Sequence, residues 1–194
     1  MKLRAALAKA FLRLTGWALE GSRPVPRGFV LIAAPHTTNW DLVYFLAHAW
    51  GFGISPSWMG KHTLFRGPLG PVMRWLGGVP VFRARAGGLV AQMADAFTQN
   101  PDLVLTVPPE GTRSRATHWK SGFYQIARAA RVPIVMGYLD YERRRGGLGP
   151  LLVPGDDLTA DMEAIRAFYA DKHGKYPDRF GDVRLAEEGA ADAA

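Results

Sequence analysis

Phe29-Val-Leu-Ile-Ala-Ala is apolar at every position, which predicts a strand buried on both faces rather than one half exposed to water. Such a strand needs a covering layer on each side. The surrounding sequence supplies candidates, because short apolar runs alternate with segments of helical period. Strands are expected near 56–59, 79–83, 103–107, 134–141 and 151–153. Helices are expected near 39–50, 68–76, 89–99, 121–131 and 159–172, with Arg143 to Gly147 as a turn. This alternation predicts one α/β domain with a largely parallel central sheet flanked by helices.

The two ends read differently. Residues 2–19 predict an amphipathic helix with Leu3, Leu7, Ala10, Phe11, Leu14, Trp17 and Ala18 on one face and Lys2, Lys9 and Arg13 opposite. Arg4 and Leu12 fall outside that pattern. The domain boundaries expected are therefore 1–20 for this helix, 21–184 for the main α/β domain and 185–194 for a disordered acidic tail. That tail holds Glu187, Glu188 and Asp192 and no base, so of the net charge of +7 the rest of the chain carries +10. A surplus of this size favours anionic partners: phosphorylated metabolites, acidic membranes or nucleic acid.

Cysteine is absent, which excludes disulfides, thiol nucleophiles and Cys-ligated zinc or iron–sulfur sites. The longest apolar runs fall far short of the roughly 20 residues of a spanning helix. Lys9 and Arg13 interrupt what would be the apolar core of a secretory signal. Soluble or surface-bound, cytoplasmic placement is expected.

Three constellations follow expected strands, at the edge where α/β sheets carry their sites. In the first, His36 leaves the apolar strand and Asp41 lies in the first turn of the next helix. An imidazole can take a proton from a hydroxyl while a carboxylate fixes its tautomer. A plainer role for Asp41 is a helix-start carboxylate paired with Thr38. No Ser nucleophile elbow accompanies the pair, so the hydroxyl activated would be the substrate's. The second constellation is Pro109-Glu110-Gly111-Thr112-Arg113-Ser114, a tight loop with a guanidinium suited to phosphate. In the third, Arg83 and Arg85 emerge two apart on one side of a strand, with Lys61 as a further cation. His48 reads as structural. It forms no recognisable zinc spacing with His36 and Asp41, and no metal is expected. Gly60-Lys61 lacks the glycine of a phosphate loop, since Ser55 stands six positions before the lysine.

Together these blocks resemble the glycerolipid acyltransferase family, the glycerol-3-phosphate acyltransferase-like enzymes best known for acylating lysophosphatidic acid. His36-x4-Asp41 matches its first motif, Gly78 to Arg83 its second, Pro109 to Ser114 its third and Val132-Pro133-Ile134-Val135 its fourth, in order. The resemblance implies an O-acyltransferase in which His36 is general base and Asp41 orients it. Arg83 and Arg113 would hold the acceptor's phosphate, with Glu110 and Gly111 shaping the loop and Lys61, Arg85 and Thr112 also in the substrate site. The donor would be acyl-CoA or acyl-carrier protein as co-substrate, with no bound cofactor, and the acceptor a lysolipid such as 1-acyl-sn-glycerol-3-phosphate.

Two positions depart from the pattern. Pro35 stands where many members have Asn, and Phe82 where many have an acidic residue. The second departure keeps a non-phosphate acceptor, a lyso-ornithine lipid or glycolipid, as an alternative. A nucleic-acid-binding module would rest on charge and on Trp58, Trp75 and Trp119 alone, and nucleic acid is not expected as a partner. Helix 2–19 is the natural contact with the inner face of the membrane, or else packs on the domain.

Overall fold

The structure is a computed structural model that describes residues 2–23, 26–81 and 88–188. Seven strands form one sheet: β1 (Ala18–Glu20), β2 (Phe29–Ala34), β3 (Ser57–Lys61), β4 (Gly78–Val81), β5 (Val104–Val107), β6 (Ile134–Asp140) and β7 (Arg145–Leu152). Their order is β1-β7-β6-β2-β5-β3-β4. Five strands, from β6 across to β4, are parallel; β7 is antiparallel to β6, and β1 runs parallel to β7.

β2 is central, and alternation along it divides the core. Val30 and Ile32 belong to the cluster formed with α4 (Gly88–Gln99), α5 (Gly122–Ala130) and α6 (Leu158–Tyr169), through Met93, Phe97, Phe123, Ile126, Met162 and Ile165. Phe29 and Leu31 pack on the other side against Ala49 of α2 (Trp40–Gly51). The fully apolar sequence of β2 thus reflects two covering layers, and the α/β architecture expected is the one formed.

The first twenty residues differ from expectation. Helix α1 spans Lys2–Leu14 and stops there in a Schellman arrangement: Trp17 N–H donates to Leu12 O at 2.8 Å, Gly16 N–H to Arg13 O at 3.1 Å. Gly16 has φ +74°, the left-handed conformation this ending requires. The chain then turns into β1 and joins the sheet, so the segment is no appendage to the domain. The buried face of α1 is also shifted from the one expected, although Phe11 and Trp17 of the expected face do pack inward. Ala8 and Leu12 are buried against Ala47 of α2 and Leu139 of β6, whereas Leu3, Leu7 and Leu14 are exposed. A row with Ala at its centre lets two helices approach closely, and a hydrophobicity pattern undervalues it.

The glycines expected in a turn at 146–147 lie inside β7. A Cβ on Gly147 would sit 2.1 Å from Glu20 O, and one on Gly146 2.6 Å from His48 Nε2. The sequence there is shaped by close approach of β1 and α2. At the other end, Leu185 is buried and forms a bridge with Trp119. Glu187 accepts from Ser121 Oγ at 2.6 Å, and Glu188 accepts from Arg166 and from Leu185 N–H. Residues 185–188, placed in the disordered tail by the sequence, are therefore held to the domain. Trp119, only 2% exposed, packs on Phe123 and Tyr169 and is a core residue, not a stacking platform.

Leu12 is 1% exposed and Leu14 88%. Leu12→Ala is expected to cost about 2–5 kcal/mol in urea unfolding, and Leu14→Ala about 0.5 kcal/mol or less. The assignment of faces predicted from the sequence would give the reverse order.

Candidate active site

The carboxyl ends of β2, β3 and β5 open on a cavity of about 620 Å³. β2 ends at Ala34, the Ala34–Pro35 peptide bond is cis, and His36 follows before α2 begins. His36 and Asp41 both line the cavity. His36 Nδ1 lies 3.1 Å from Asp41 Oδ2. The same oxygen accepts from Thr37 N–H at 2.7 Å and Thr38 N–H at 2.9 Å, and Oδ1 accepts from the Tyr141 hydroxyl at 2.7 Å. Asp41 is surrounded by donors, which suits an ionised carboxylate acting only as acceptor. Nδ1 of His36 accordingly carries the proton in this bond, leaving Nε2 as the ring nitrogen with a free lone pair. The two roles weighed for Asp41 are one: it ties the start of α2 to the loop before it and engages the imidazole in the same contact.

Glu110 lies behind this loop rather than in the cavity. Its side chain is buried, and Oε1 accepts from the backbone N–H of His36 at 2.9 Å. That N–H lies beyond the last rung of the β2 ladder and needs an acceptor. Glu110 Oε2 is buried without a hydrogen-bond partner. Burial raises the carboxyl from its ordinary 4.5 to about 8, against the bond from His36 and with a smaller contribution from the Asp41 charge. Glu110, expected to shape its own loop in the substrate site, lies off the cavity lining and holds the neighbouring loop that carries His36. Thr112 also lies off the cavity lining, and its Oγ1 accepts from Ser114 N–H at 3.2 Å to shape the turn.

Lys61, Gly111 and Arg113 do line the cavity, as does Lys120, which no motif singled out. Gly111 has φ +66°, and a Cβ there would lie 2.8 Å from Lys120 Cε, so the glycine lets the lysine stem cross the loop. Nothing in the sequence marks Lys120 apart from its following the buried Trp119. Arg83 and Arg85 lie outside the described residues. Much of the remaining wall is apolar, with Leu42, Phe45, Met59, Phe123 and Ile126, beside the polar Asn39, Thr106 and Tyr138. His48 is remote in role: Nδ1 contacts Tyr44 O at 2.7 Å, Nε2 contacts Ala18 O at 3.3 Å, and burial lowers its pKa. Among the described residues no three His, Asp or Glu side chains gather to hold a metal.

The raised carboxyl of Glu110 makes stability pH-dependent. Protonated, it favours the fold; as pH rises from about 4.5 towards 8 the unfolded chain loses its proton first, at a cost on the order of 3 kcal/mol by pH 7. Glu110→Gln abolishes this titration while keeping an acceptor for His36 N–H. Its melting temperature relative to the parent should climb between pH 5 and pH 8 in calorimetry. A constant difference would refute the assignment.

The sequence matches the family described as Acyltransferase over residues 17–137, which takes in the His36 and Glu110 loops. Among curated proteins no match is found. Among solved structures the fold is similar to the crystal structure of PlsC from Thermotoga maritima, a 1-acyl-sn-glycerophosphate (LPA) acyltransferase. The TM-score is 0.62 at 19% identity, covering 88% of this chain and 75% of that one. Matched over more than half its length, and with the dyad inside the matched region, this chain belongs to the acyltransferase family and is an enzyme of that family.

Proposed function

We propose that the enzyme transfers a fatty acyl group from a thioester, acyl-CoA or acyl-carrier protein, to the hydroxyl of a phosphate-bearing lysolipid such as 1-acyl-sn-glycerol-3-phosphate. The observation that carries this reading is one cavity lined by a His–Asp dyad, three cations and an apolar wall. Lys61, Arg113 and Lys120 suit a phosphate head group, and the apolar wall suits acyl chains. The His36–Asp41 pair suits proton removal from a hydroxyl.

In the reaction so read, Nε2 of His36 takes the acceptor's proton as the oxygen attacks the thioester carbonyl. Asp41 stabilises the resulting imidazolium through Nδ1–H. Collapse of the tetrahedral intermediate breaks the C–S bond, and the thiolate leaves with the proton from Nε2. No covalent acyl-enzyme is needed, in keeping with the lack of Cys and of a Ser elbow. The match of Thermotoga maritima PlsC in fold adds a relative whose acceptor is of this class.

We further propose that the enzyme works at a membrane surface, on the cytoplasmic side where soluble thioesters are available. No helix among the described residues is long and apolar enough to cross a bilayer. Leu3, Leu7 and Leu14 of α1 are exposed together with Leu69, Val72 and Trp75 at α3 (Gly70–Trp75). The Arg4 guanidinium, 4.8 Å from the Trp50 ring and 4.5 Å from that of Trp75, brings the first turn of α1 beside α3. Lys2, Lys9 and Arg13 are exposed on the same helix, and these cations suit anionic lipid.

Two measurements test these readings. Incubated with oleoyl-CoA or acyl-carrier-protein donors and lysophosphatidic acid, the protein should form diacyl product by mass spectrometry, and His36→Ala should lower kcat roughly 10²–10⁴-fold. Undiminished product in His36→Ala would remove the histidine from the mechanism, and no product with either donor would exclude this acceptor. In flotation with anionic vesicles, the triple variant Leu3→Gln, Leu7→Gln, Leu14→Gln should bind roughly ten-fold less than the parent. Equal binding would rule out α1 as the contact.

A further inference from the structure

Tyr141 belongs to none of the motifs, yet it supplies the only hydrogen bond to Asp41 Oδ1 among the described residues, at 2.7 Å. It directly follows β6, whose register beside β2 (Ala34 opposite Tyr138) carries it to the sheet edge that bears His36. Its own backbone N–H donates to His173 O at 2.9 Å. Its ring stands edge-on to Trp17 at 4.9 Å and 90°, and to Tyr44 at 6.0 Å and 83°. Trp17, just past the end of α1, stacks on Tyr44 at 4.5 Å. The phenol is thus fixed by its backbone and by three-ring packing, independently of any substrate. Burial, with the bond to Asp41, pushes its pKa far above the ordinary value, so it remains a donor throughout the working range.

We propose that Tyr141 is a positioning residue of the dyad: its hydroxyl pins Asp41 Oδ1, so that Oδ2 keeps the Nδ1–H of His36 and the ring turns Nε2 to the cavity. This rests on the reading of His36 as the base. Oδ2 already collects three donors, whereas Oδ1 has the phenol alone among the described residues. Without that hydroxyl, Oδ1 becomes a buried carboxylate oxygen with no donor, a costly state that the carboxylate escapes by rotating. Rotation weakens the bond to Nδ1 and releases the imidazole to exchange tautomers. The effect falls on the chemical step, because Tyr141 lies behind Asp41 and need not touch the acceptor.

The test compares the parent with Tyr141→Phe, which keeps the ring that packs on Trp17. Side-chain 15N spectra of His36, assigned with His36→Ala, report the tautomer without needing any substrate. The parent should show chiefly the Nδ1–H form and Tyr141→Phe a mixture, with backbone amide spectra otherwise superimposable. In the acyl-transfer assay kcat should fall roughly ten-fold with KM for the acceptor unchanged. A parental tautomer in Tyr141→Phe overturns the inference even where lysolipid transfer is observed. A shifted tautomer in a protein that acylates no lysolipid sustains the inference and defeats the proposed acceptor instead.

Discussion

A single carboxylate organises this molecule's working edge. Asp41 receives hydrogen bonds from the loop before α2, from an imidazole and from a phenol that follows β6, segments far apart in the chain. A buried carboxylate is tolerated only when its charge is matched by donors. Four donors satisfy that requirement, and each is thereby held in place. One contact joins two parts of the structure: the group that ties the start of α2 to the loop after β2 also meets the ring of His36. Glu110 complements it from below, holding the backbone of His36 where Asp41 holds the ring.

The architecture explains why these groups meet. Five parallel strands bring the ends of β2, β3 and β5 to one edge, so loops from distant parts of the sequence line one cavity. The reversed pair β7 and β1 is joined to that arrangement through glycines, with Gly146 and Gly147 admitting His48 and the β1 backbone. Trp17 immediately precedes β1 and packs on Tyr141, so the amino-terminal segment buttresses the edge that bears His36 rather than hanging from the domain.

Much of this was legible in the sequence, for identifiable reasons. β2 announced itself because a strand covered on both sides has no polar positions, and the His36–Asp41 spacing bridges one loop into one helix turn. Other features were hidden by their physics. Leu12 falls outside the apolar pattern of α1 because its buried neighbour on that face is Ala8, which scores weakly. The end of α1 at Leu14 uses a left-handed Gly16 at φ +74°. Glu110 was legible as a loop residue but not its inward direction, which follows from an orphan N–H on a neighbouring segment. Lys120 and Tyr141 carry no local signature, since each acquires its place through tertiary contact.

The rims of the sheet have a consequence of their own. One outermost strand, β1, is three residues long and ends in Glu20, whose carboxylate is engaged by Tyr138 and Arg145. The other outermost strand among the described residues, β4 (Gly78–Val81), contains Pro80, which lacks an N–H to offer. Short, charged or proline-bearing rims are poor templates for strand addition. The protein can therefore bring an oily helical flank against another surface without inviting a second copy to extend its sheet, and crowding would favour lateral contact through helices over fibrous growth.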